Sequence, residues 1–115
     1  MPTINRVDFN KVAKDALDAA KAVANDENAW RSLKDIVKNI SAGLTADVQL
    51  IAKKKSSGEF NEDDARVYLE DQKMVARIRI RSVAIISLQL AERIWNAIAA
   101  VFRSAINKAI GWNII

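Results

Sequence analysis

The chain has 115 residues, half of them apolar, with 18 basic and 14 acidic side chains and a net charge of +4, which suits a single domain with a real core. It contains neither cysteine nor histidine. That excludes disulfides, thiolate metal sites, Ser-His-Asp and Cys-His catalysis within one chain, and the Glu-x-x-His pairs of a di-metal bundle.

The first helix is predicted over about residues 6–24. Asn5 reads as its N-cap, answered by Asp8. Phe9, Val12, Ala16, Leu17, Ala20 and Val23 form an apolar stripe at helical spacing. The stripe is rich in alanine, so a neighbouring helix can come close. Asn25-Asp26-Glu27-Asn28 interrupts it and supplies acid to the start of a second helix, predicted over about 26–54. Trp30, Leu33, Val37, Ile40, Leu44 and Ile51 step by threes and fours along that helix. Gly43 lies in its middle and marks either a bend or a close approach by another helix.

Lys53-Lys54-Lys55 followed by Ser56-Ser57-Gly58 is a helix stop. Asn61 restarts the chain as an N-cap with Glu62, Asp63 and Asp64 in the first turn, and Phe60 is placed to pack back on the new helix. From residue 62 to 110 there is neither glycine nor proline, and the third helix is predicted to run that whole way, about 70 Å at 1.5 Å per residue. Val75 to Val83 also alternates like a strand, but a lone strand leaves its backbone groups unpaired.

Two opposed apolar faces appear on this long helix. Ile94, Trp95, Ile98, Val101, Phe102 and Ile106 share one side, with Arg93, Asn96, Arg103 and Lys108 opposite. Upstream, Val67, Tyr68, Met74, Val75 and Ile78 cluster on the other side of the same wheel, and the joining segment Val83–Ala91 is apolar nearly all round. The first half of the helix is expected to pack on the first and second helices of its own chain, and a straight helix needs a second partner for its second half. A kink would need help from Ser82 or Ser87. The expectation is therefore an all-α fold, a small bundle of three helices whose last is very long or kinked into two. It is expected to assemble with itself as a homodimer or higher oligomer, through Val83, Ile86, Leu90, Ile94, Trp95, Ile98, Val101, Phe102 and Ile106.

The motifs with chemical potential are weak. Residues 76–115 carry six basic side chains and one acidic. Lys73, Arg77 and Arg81 make a possible basic patch for nucleic acid, but Arg79 points elsewhere on a helix and no aromatic interleaves. Lys53–Lys55 suits a solvated helix end better than a phosphate site. The segment from Ile94 to Trp112, with cations on one face and Trp, Phe and Ile on the other, also reads as an interfacial membrane helix. Its uncharged runs fall short of the roughly 20 residues needed to span a bilayer. Trp112-Asn113-Ile114-Ile115 is expected to dock on a neighbour or touch a membrane. Asn39-Ile40-Ser41 is a chance sequon in a helix.

No residue set supports catalysis, a cofactor or a metal. The expected function is a non-enzymatic structural or protein-interaction module whose partner is itself or another protein. Nucleic acid and a membrane surface stand as alternatives. The lack of cysteine, with no apolar leader at Met1–Arg6, points to the cytoplasm.

Overall fold

The computed structural model describes residues 3–83 and 86–115. A short antiparallel hairpin comes first, β1 (Thr3–Ile4) and β2 (Val7–Asp8), with Ile4 opposite Val7. Four helices follow: α1 (Phe9–Ala24), α2 (Glu27–Ser56), α3 (Glu62–Arg81) and α4 (Leu88–Ile110). The all-α class holds, and of the two forms expected for the last helix the one divided in two is found, which makes four helices among the described residues.

The first departure from expectation is at the start of α1. Asn5 and Arg6 both have positive φ, 47° and 67°, as the two central residues of a primed hairpin turn require. Asn5 therefore turns the hairpin, and its side-chain amide donates to the carbonyl of Lys108, 3.2 Å away. The N-cap passes to Asp8, whose carboxylate accepts from the Asn10 N–H at 2.9 Å. α1 ends at Asn25, in the left-handed region with φ 46°, and Asp26 at once caps α2. Gly58 (φ 77°) follows the end of α2. Asn61 and Asp64 form a reciprocal capping box at the start of α3, and Phe60 lies 6.0 Å from the Tyr68 ring. Gly43 neither ends α2 nor admits a close neighbour, since nothing lies within 4 Å of where its Cβ would be.

The second departure decides the architecture. The predicted 62–110 helix is broken between Arg81 and Leu88, while residues 75–81, which alternate like a strand in sequence, are helical as expected and end α3. The two serines supply the caps. The Ser82 hydroxyl donates to the Arg79 carbonyl at 2.7 Å. Ser87 is extended, and its Oγ accepts from the Leu90 N–H at 3.1 Å. Ala84 and Ile85, part of the segment expected to be apolar all round, lie outside the described residues. A straight helix would have exceeded the 45 Å long axis of the protein, which α2 alone nearly fills, since its 30 residues reach about 45 Å at 1.5 Å each.

The chain thus runs up, down, up and down. α1 packs on α2 and most extensively on α4, α3 packs on α2 and α4, and α2 meets α4 across the bundle. One core joins all four helices. Phe9 stacks on Phe102 with ring centroids 6.5 Å apart, and Ala16, Ala20 and Ala24 let α1 lie close to its neighbours. The segment after α4 docks on its own bundle, not on a neighbour. Ile114 is buried, the Asn107 side-chain Oδ1 accepts from the Ile114 and Ile115 N–H groups, and Arg66 donates to the Asn113 backbone carbonyl. The Lys55 ammonium caps the end of α4 by donating to the Ile110 carbonyl, and it lies 4.6 Å from the centre of the Trp112 ring.

The break gives a prediction whose sign depends on it. Ser87→Ala should lower stability by about 1 kcal/mol and Ser87→Gly by only a few tenths, because alanine cannot cap while glycine tolerates the cap position. In a continuous helix the order reverses, since alanine is the better helix former by about 1 kcal/mol. Urea titration of the three proteins reads the order directly.

Candidate interaction face on the third helix

The side chains expected to form an interface are largely used inside the chain. Ile94, Trp95, Ile98, Phe102 and Ile106 are buried, and Val83, Ile86, Leu90 and Val101 are half-buried against the same core. The sequence pointed to a second chain because a straight helix left this face without cover. With the helix folded back, α1, α2 and α3 cover it. The members of the basic patch do not form one open surface either. Lys73 pairs with Glu70 at 2.9 Å, and Arg77 and Arg81 share Glu92, at 3.0 and 3.9 Å. Arg79 turns away and donates to the side chain of Asn39.

What the fold leaves open is the other apolar face. Along α3 the buried residues are Ala65, Leu69, Ala76 and Ile80, which fall on one side at 100° per residue. Opposite them stand Val67, Met74 and Ile78, with Val75 at the margin. Their exposures of 64%, 58%, 63% and 44% show that three of the four are more in water than out of it. Leu88 is 59% exposed and sits one turn before Glu92, which holds Arg77 and Arg81, so it lies beside the same end of α3. Scattered exposed apolar residues are ordinary, but four of them grouped on one side of one helix, with Asp71 the charged residue among them, mark a contact surface. From Val67 to Ile78 the stripe runs about 16 Å.

The sequence had grouped Val67, Met74, Val75 and Ile78 correctly and assigned them to the inside. The inner face instead uses two alanines, which bring α3 close to its neighbours. Tyr68, grouped with the stripe, is half-buried and turns toward α2, where its hydroxyl donates to Asp47 at 3.0 Å.

The cleft between α2 and α3 is lined by Gly43, Asp47, Gln72, Val75, Ala76 and Arg79. Burial raises the Asp47 carboxyl above its ordinary 3.8, against the opposing effects of the Tyr68 hydrogen bond and the Arg79 charge. Burial and the Asp47 carboxylate raise Tyr68 in turn. Asp47 is the one carboxylate among the described residues lining this cleft, and the Tyr68 hydroxyl holds it. Among the described residues no group of three or more His, Cys, Asp and Glu side chains could hold a metal ion, and no helix is long and apolar enough to cross a membrane. The chain matches no protein-family model, no curated protein and no solved structure.

Asp47 makes stability depend on pH in a stated direction. Its folded value lies above its unfolded value, so the protonated form favours folding. That contribution is complete below about pH 4, the ordinary carboxylate value, and is lost as the pH rises through the raised folded value. Asp47→Asn keeps an acceptor for Tyr68 without the buried charge. It should be more stable than the wild type at pH 7, with a difference that shrinks on acidification; chemical denaturation at pH 7 and pH 3.5 tests both signs.

Proposed function

We propose that this protein is a non-enzymatic helical interaction module of the cytoplasm that self-associates, and that its contact surface is the exposed stripe of α3 in place of the residues of α4 expected from the sequence. The observation that carries the reading is the set Val67, Met74, Val75 and Ile78, held in water on the side of α3 that the core does not use. The fold does not require apolar residues there. Large apolar side chains kept outside a bundle that already has a core are costly to solubility, and a partner removes that cost.

The expected strength follows from size. Fully burying a Val, Ile or Met side chain contributes about 1.5–3 kcal/mol. Four per copy, already partly covered, stand against about 4–15 kcal/mol for lost rigid-body freedom. A single helix pair also falls in the class of small interfaces, below about 1,200 Å². The association is therefore weak and reversible. Nucleic acid is the less favoured partner because carboxylates already answer Lys73, Arg77 and Arg81. A membrane surface is less favoured because the apolar side of α4 is turned inward.

Sedimentation or light scattering should show the weight-average mass rising with concentration from the 12.8 kDa of one chain toward twice that value between micromolar and millimolar. Met74→Asp and Ile78→Asp should hold the protein at monomer mass with its circular dichroism kept and a stability loss of no more than about 1 kcal/mol from helix propensity and dipole, since both side chains are already in water. Ile98→Ala should instead cost about 2–5 kcal/mol of stability as a core cavity. A wild-type protein that stays monomeric at millimolar concentration would overturn the proposal.

A further inference from the structure

Resting on the reading that α3 mediates self-association, we infer that two copies pack α3 against α3 in antiparallel sense about a two-fold axis near Gln72–Lys73, which sets Val67 of one copy against Ile78 of the other.

The argument is charge complementarity. Residues 62–71 of α3 carry five carboxylates and one arginine, and residues 72–81 carry four basic side chains and no acid. The helix is therefore acidic at one end and basic at the other. The two ends lie on the same flank of the apolar stripe: at 100° per residue, Asp63, Glu70, Arg77 and Arg81 line one edge in that order. In an antiparallel two-fold pair each edge meets itself reversed. Asp63 then faces Arg81 of the second copy, and Glu70 faces Arg77. The other edge places Asp64 near Ser82 and Asp71 near Val75, with Asp71 of each copy about 4.5 Å along the axis from the other, the one like-charge approach in the pair against two acid–base contacts, each made twice, on the first edge. A parallel pair sets acid beside acid at every level of the first half and base beside base in the second, which opposes association.

The monomer leaves these groups free to rearrange. Arg77 and Arg81 share the one carboxylate of Glu92, so that end retains uncompensated positive charge. Glu70 is held by Lys73, and Asp63 by Arg66, on the exposed surface of the same helix; such pairs are weak and exchange readily. Antiparallel packing also sets the positive end of each helix dipole beside the negative end of the other.

The chain has no cysteine, so single cysteines can report the arrangement without background. Val67→Cys and Ile78→Cys are each prepared alone and then mixed, and treated with a short bis-maleimide at a concentration where the mass has risen. The inference expects cross-linked dimer in the mixture and at least tenfold less in either variant alone, because about 16 Å along the helix separates each residue from its own copy. Cross-linking of Val67→Cys with itself, equal to or above the mixture, overturns the antiparallel arrangement while leaving self-association standing. A raised mass without cross-linking in any sample places the contact on another surface and overturns the inference. Monomer mass throughout overturns the inference and the reading beneath it together.

Discussion

The apolar half of α4 is too wide for one neighbour, and covering it is the constraint from which the architecture follows. Ile94, Ile98, Phe102 and Ile106 are completely buried, and no single helix can surround a face that broad. α1 supplies one wall through its alanines and Phe9, and α2 supplies a second through its long apolar seam. The third wall must come from α3, the segment directly before α4 in the chain. It can do so only if the chain reverses between them. Ser82 and Ser87 make the reversal by ending one helix and starting the next with side-chain hydrogen bonds. The docked segment after α4 belongs to the same solution: Asn107, Lys55 and Arg66 hold it over the end of the bundle.

Helix boundaries set by caps and charge were legible. The acids after Asn25, the lysines before Gly58 and the Asn61 cap each act locally, so nearby residues suffice to place them. Asn5 misled because asparagine suits both an N-cap and a left-handed turn, and the choice rests on hairpin pairing between residues that a helical wheel does not compare. Whether the last helix breaks between α3 and α4 was left undecided for a different reason. Serine caps helices but also sits within them, and no glycine or proline marks the place. Only the need to cover α4 selects the broken form, and that need is a property of the whole bundle.

The two opposed apolar faces were visible in the sequence, but which of them points inward was not. Counting large apolar side chains favours Val67, Met74 and Ile78 for the core. Packing favoured Ala65 and Ala76 with Leu69 and Ile80, because small residues bring α3 near both α2 and α4 at once. A wheel weighs size and hydropathy, whereas close approach depends on the shape of neighbours that a wheel does not contain.

α3 can afford a thin inner contact because much of its stability is local. Its capping box satisfies two backbone donors. Its first-turn acids and last-turn arginines both oppose the helix dipole favourably, and Arg66–Asp63 and Lys73–Glu70 brace two turns of the helix. None of these devices involves the outer stripe. The same sequence of acids then bases that stabilises the single helix makes it complementary to its own reverse. Local stabilisation accounts for the charges and not for the apolar residues between them. A helix made only to be stable and soluble would carry polar residues at positions 67, 74 and 78, so the stripe is the part of α3 that folding leaves unexplained, and it is on this stripe that the proposed association with a second copy rests.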